Sequence, residues 1–170
     1  YTALCQFIGF DNFGEEYKVM GLAPYGADRY RAQMAQLVHV DDKGWFRLGK
    51  GYFGMHEGGT SGAQDAKGHP VMGRFYTDRL CSLLGEPRGR HSALTQREMD
   101  IARSVQVRFE EAAIHCLNRL HDLVPTTQFV MAGGCALNGV ANARILRETK
   151  FTTPYLQAAA SDDGTCLGAA

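Results

Sequence analysis

Three stretches of this sequence set residue types in patterns that can do chemistry. The first is Ala132-Gly133-Gly134-Cys135-Ala136-Leu137-Asn138, where two residues without Cβ follow an apolar run and a helix-type segment comes next. Glycines let backbone approach a ligand closely, and free N–H groups at a helix start attract phosphate. Asn138 falls in the first turns, where its amide can both donate and accept. A tight strand-to-helix turn with close packing accounts for the same residues equally well. The second stretch is Ser161-Asp162-Asp163-Gly164-Thr165. Paired carboxylates in a loop suit a hard cation or a polarised hydroxyl, whereas Ser161 or Asp163 as a helix N-cap is the plainer use. The third runs from Glu15 through Lys18 to Gly21-Leu22-Ala23-Pro24-Tyr25-Gly26. Its residues alone imply only a short helix with a proline stop.

Two nucleotide-like patterns are set aside. Gly44-Trp45-Phe46-Arg47-Leu48-Gly49-Lys50 begins like a P-loop, but Gly51 stands where Ser or Thr must hold magnesium. Gly49-Lys50-Gly51-Tyr52-Phe53-Gly54 fits GxGxxG, yet a turn-like continuation follows it rather than a helix. The six histidines contain no metal pair at helical spacing. His115 shares a polar helix face with Arg108, Glu111 and Arg119, which reads as solvated.

The elements that must position these stretches follow from periodicity. Tyr1 to Phe10 reads as a β-type apolar segment, and Tyr17 to Leu22 as a helix broken by Pro24 and closed by Gly26. Arg29 to Val38 reads as a helix, and so does Val71 to Leu84. Between them, residues 41–68 form an irregular insertion rich in glycine and aromatics, with a strand at Trp45 to Leu48. A long helix starts at Thr95, whose Thr95-Gln96-Arg97-Glu98 fits a capping box. Ile101, Val105, Phe109, Ala112, Cys116, Leu120 and Leu123 give it one apolar stripe, and Pro125 ends it. Gln128 to Ala132 reads as a buried parallel strand, Ala136 to Arg147 as a helix and Phe151 to Leu156 as a short strand. That alternation implies an α/β fold, in which ligands bind beyond strand ends.

Composition narrows the classes further. Of 170 residues, 45% are hydrophobic and 21% charged, and eighteen basic residues balance eighteen acidic ones. A balanced chain carries no overall field for nucleic acid or an acidic membrane. No apolar run nears the roughly 20 residues of a spanning helix, and no signal-peptide layout opens the sequence. Five scattered cysteines without a CxxC pair point to a reducing cytoplasm. Length favours one domain or one lobe of a larger one. The apolar, small-residue end at Leu167 to Ala170 suggests an excised piece of a longer polypeptide.

Four blocks occur together. They are Glu16 to Gly26, Asp100 to Gln106, Ala132 to Asn138 and Asp162 to Ala170. In this order they resemble the O-carbamoyltransferases of nodulation-factor and antibiotic biosynthesis. The resemblance spans nearly the whole chain, with Tyr52-Phe53 and Gly85-Glu86-Pro87-Arg88 also similar to family segments. It implies a lobe of the actin-like ATPase (ribonuclease H-like) fold, with a mixed sheet and packing helices. Residues 1–170 would then be part of a transferase domain. In the family, another domain of the same polypeptide makes carbamoyl adenylate from carbamoyl phosphate and ATP. The actin-like domain passes the carbamoyl group to a hydroxyl of a small-molecule acceptor.

By the same resemblance, Gly133, Gly134 and Asn138 match the motif that approaches the nucleotide. Glu15 and Lys18 match charged residues near that cleft. Asp162 matches the aspartate that joins two histidines around an iron(II) ion. The histidine pair and the adenylate-forming domain are not among these residues, so the isolated chain is expected to transfer nothing. Two other functions fit the residues. One is an actin-like, sugar-kinase-type phosphotransferase, and the other is a noncatalytic nucleotide- or partner-binding domain.

Overall fold

The computed structural model describes residues 1–12, 14–54, 68 and 73–170. The chain is α/β and divides into two compact units, residues 1–39 with 47–108 and residues 40–46 with 109–170. Part of the expected 41–68 insertion and the first residues of the expected 71–84 helix lie outside the described residues.

The first unit is built on helices. Thr2–Phe7 forms α1, where a β-type segment was expected. Short apolar runs do not distinguish strand from helix, and Ala, Leu and Gln in Thr-Ala-Leu-Cys-Gln-Phe favour the helix. Glu16–Leu22 forms α2, followed by a 3-10 turn at Ala23–Tyr25 that carries Pro24 near its start. Gly26 then passes so close to the long helix that a Cβ there would run into the Met99 carbonyl. Asp100 secures the same turn by accepting the Ala27 N–H at 2.8 Å. Arg31–Leu37 forms α3. Val38 leaves that helix to open β1, Val38–Val40, which forms a hairpin with β2, Phe46–Leu48.

Helix α4 covers only Asp78–Leu84. The stretch before it is extended because the Gln6 side chain serves its backbone twice. Gln6 accepts the Phe75 N–H at 2.8 Å and donates to the Gly73 carbonyl at 2.9 Å. The long helix α5 spans Gln96–Leu123. Of the capping box, the carboxylate half is present. Glu98 accepts both the Thr95 N–H at 3.0 Å and the Thr95 hydroxyl at 2.6 Å. Burial alone would raise the Glu98 carboxyl, but these bonds hold it below its ordinary range. Phe7, Ile8, Val19, Leu37, Leu80 and Ile101, each at most 1% exposed, form the centre of the unit's core.

The second unit is a βαβ arrangement. Strands β3, Gln128–Met131, and β4, Thr153–Leu156, pair in parallel with Val130 opposite Tyr155. Between them lie a 3-10 turn at Gly134–Leu137 and helix α6, Gly139–Glu148, and after β4 comes the short α7, Thr165–Ala169. Asn138 separates the turn from α6, so the expected continuous helix from Ala136 is divided.

The pairing is parallel as expected, but β3 is not a buried strand. Burial alternates along it, and Val130 is 78% exposed. Phe129 turns inward against the buried Phe151, with ring centroids 4.8 Å apart. On α5, Ile101, Val105 and Ala112 of the expected stripe are buried, whereas Leu120 and Leu123 are exposed.

In place of one mixed sheet, the described residues form two separate two-stranded sheets. A short connection folds β1 and β2 back on each other, whereas β3 and β4 need the α6 crossover to run parallel. No helix among the described residues is long and apolar enough to cross a membrane.

Candidate functional site

The glycine turn follows directly from the end of β3. Gly133 has φ +92°, a left-handed conformation that L side chains rarely adopt, and a Cβ built there meets nothing within 4 Å. Its N–H donates to the Ala160 carbonyl at 2.6 Å, and its carbonyl accepts the Ala136 N–H at 2.9 Å. The Gly134 and Cys135 N–H groups begin the 3-10 turn and find no acceptor among the described residues. Gly134 has no left-handed φ, and a Cβ on it would approach only Ser161 Oγ, at 3.9 Å. Two open N–H groups therefore sit on backbone that lacks side-chain cover. Such an arrangement can take an anionic oxygen.

The structure brings the aspartate loop to this turn. Ala160 and Ser161 approach Gly133 and Gly134 as just described, and Asp162–Gly164 forms the next 3-10 turn. Neither expected capping side chain caps. Ser161 stands at the N-cap position without a side-chain bond, and Gly164 occupies the N-cap of α7. The loop is closed instead by the Thr165 hydroxyl, which donates to the Asp162 carbonyl at 2.6 Å. The Asp162 and Asp163 side chains are left exposed.

Asn138 has a defined local task. Its Oδ1 accepts the Ala141 N–H at 3.0 Å, which caps α6. Asn142, one helical turn later, was not singled out from the sequence. Its Nδ2 donates back to the Ala136 carbonyl at 2.7 Å. The signal for it was the spacing of four between Asn138 and Asn142, which places both on one side of a helix start.

Glu15 and Lys18 belong to the first unit, where they bind each other at 2.6 Å. Asn12 donates twice more to the Glu15 carboxylate, from its backbone and its amide. Burial works to raise the Glu15 carboxyl, but the Lys18 and Asn12 bonds overcome it and hold the group at about 2. The same bond raises the Lys18 ammonium above its ordinary range. The pair is thus fixed in its charged form and mutually neutralised.

Among the described residues no three His, Cys, Asp or Glu side chains gather closely enough to hold a metal ion. Asp162 alone supplies one carboxylate, which does not make an iron centre. His115 is not the solvated residue expected from its helix face. It is half-buried, and its Nε2 lies 2.6 Å from the Asp41 carbonyl, where an N–H donates to the loop before Trp45.

All of residues 1–170 match the sequence model of the family described as carbamoyltransferase N-terminus. An uncharacterized protein of Synechocystis, sll1178, is 38% identical over 172 residues that cover the whole chain and 26% of the relative. The nodulation protein NolO of Bradyrhizobium diazoefficiens is 32% identical over the whole chain and 27% of its own length. The nodulation protein NolNO of Sinorhizobium fredii is 29% identical, with 22% of its length covered. The chain therefore spans about a quarter of the length of these relatives.

Proposed function

The chain belongs to the carbamoyltransferase N-terminus family, and from that premise we propose that it forms the adenylate-facing part of an O-carbamoyltransferase. The observation that carries the reading is the glycine turn, with the Gly134 and Cys135 N–H groups open beside the Ser161–Asp163 loop. Those two donors would hold the phosphate of a carbamoyl adenylate made from carbamoyl phosphate and ATP. The Gly133 and Gly134 positions would let the phosphate approach the backbone. A hydroxyl of a small-molecule acceptor then bonds to the carbamoyl carbon. The bond from that carbon to the phosphate oxygen breaks, AMP leaves with the electron pair and the hydroxyl proton is lost.

Each feature has a stated part in this reading. Donors aimed at the phosphate stabilise the charge that grows on AMP as it leaves, which is where preorganised electrostatics contribute most. Asn138 would set the direction of α6 behind the turn through its cap on Ala141. Glu15 and Lys18 would offer a nucleotide a neutral, fixed pair rather than a free cation. The iron(II) ion implied by the resemblance needs ligands beyond Asp162. The reading further assigns the actin-like architecture to the parent domain and places the protein in the cytoplasm, where its five free cysteines stay reduced.

The test is made on the full-length protein with ATP, carbamoyl phosphate and hydroxyl acceptors. AMP release that depends on carbamoyl phosphate, together with a carbamoylated product by mass, is the expected result. ADP formed without carbamoyl phosphate would replace this reading with a phosphotransferase.

A further inference from the structure

Behind the glycine turn, Asn142 carries a buried polar group that helix formation does not require. Its backbone N–H lies in the first turns of α6 and donates to the Asn138 carbonyl at 2.9 Å. Its side chain bends back out of the helix, and Nδ2 reaches the Ala136 carbonyl at 2.7 Å. A carbonyl only accepts, so the amide must present its NH2 there. That orientation leaves Oδ1 buried with no hydrogen-bond partner among the described residues. An unpaired buried acceptor is unfavourable, and leucine at this position would avoid it while suiting the helix. A group kept at such a cost calls for an account.

Resting on the nucleotide reading above, we propose that Asn142 is a positioning residue for the phosphate-facing turn, acting through the Ala136 carbonyl. Ala136 is pinned twice, by its N–H on Gly133 and by its carbonyl on Asn142. Gly133 is itself pinned, because its N–H donates to Ala160. The open peptide groups of Gly134 and Cys135 lie between these two anchors. Glycine supplies the room for close approach but also freedom to rotate away. Asn142 removes that freedom before the ligand arrives, so less ordering remains to be done on binding. Asn138 has a different task, because its Oδ1 serves the α6 cap rather than the turn.

The experiment uses the full-length protein, with AMP, the group that leaves from the turn, as the probe. Asn142→Leu removes the donor without adding charge. Asn142→Ala removes the same donor and leaves the Ala136 carbonyl without a side-chain partner. Calorimetric titration should find AMP bound about tenfold or more weakly by both variants, since small misplacements of fixed donors cost that much or more. The melting temperature of Asn142→Leu, which also removes the unpaired Oδ1, should stay near that of the wild type. Wild-type affinity in either variant that folds would overturn the proposal. So would a lowered melting temperature with unchanged affinity, which is the signature of a purely structural asparagine. If the wild type itself binds no AMP, the nucleotide reading fails first and this inference falls with it.

Discussion

The two units of this chain use their residues in opposite ways. In the first, large side chains such as Phe7, Ile8, Leu37 and Ile101 are withdrawn almost completely from water. Several of its polar groups are paired as well, with Asp100 holding the Ala27 N–H and Glu98 holding Thr95. In the second, much of the buried set is small, with Ala112, Ala136, Ala141 and Ala160 beside Ile145 and Phe151. Apolar residues stand open on its sheet, where Val130 and its register partner Tyr155 are 78% and 60% exposed. Two backbone N–H groups at the glycine turn are open too. Parallel strands usually have both faces covered, so this pair is unusual as it stands. The difference teaches that close packing and an accessible backbone make opposing demands. The first unit withdraws its large apolar side chains from water, and the second leaves sheet residues and two backbone donors open.

The contrast can be broken most directly by truncating side chains in both places. Phe7→Ala should destabilise the first unit by about 3–5 kcal/mol, because a fully buried aromatic leaves both lost transfer energy and a cavity. Val130→Ala in the same 170-residue chain should stay within about 0.5 kcal/mol, as exposed substitutions do. Urea titrations of the two variants provide the measurement. Equal losses would mean that the open sheet face is packed in solution and that the contrast is false.

A smaller effect sharpens the same contrast from the electrostatic side. Glu15 falls from an ordinary 4.5 to about 2 in the folded chain, mainly through Lys18 and Asn12 acting against burial. A depressed carboxyl stabilises the fold above its unfolded value, and that contribution is lost as pH falls through the folded one. Wild type should therefore melt above Glu15→Gln at neutral pH. The gap should hold down to about pH 5 and close as pH falls from there toward 2. A gap that does not change over this window would show that the carboxylate is unpaired in solution.

Much of this arrangement was legible in the sequence, where local patterns and spacing determine structure. Thr95 with Glu98 marked the start of α5, Pro24 the end of α2, and Gly133-Gly134 the turn after β3. The alternation around that turn correctly implied a parallel βαβ unit. What stayed hidden depends on partners far along the chain. The extended backbone before α4 is held by Gln6, some 70 positions away, and no local pattern announces it. The α1 segment was ambiguous because a short apolar run serves helix and strand alike. Exposure of Val130 was hidden for another reason, since a strand's composition does not say which of its faces is covered. At the site, the glycines were visible as a motif, whereas Asn142 required the back-turned side chain to be seen.

The central claim is that the Gly133-Gly134 turn receives a nucleotide phosphate on its open backbone, and Gly134→Ala tests it with the least disturbance. Gly133 needs its left-handed φ, so replacing it would confuse strain with lost contact. Gly134 has no such need, and its added Cβ would meet only Ser161 Oγ at ordinary contact distance. The methyl group would then obstruct the ligand rather than the protein. The measurement is a calorimetric titration of full-length wild type and Gly134→Ala with AMP, beside their melting curves. The predicted result is unchanged melting and AMP affinity reduced by about tenfold or more, because the phosphate can no longer reach the backbone. Unchanged affinity in the folded variant would contradict the account and leave the glycines as a tight turn alone.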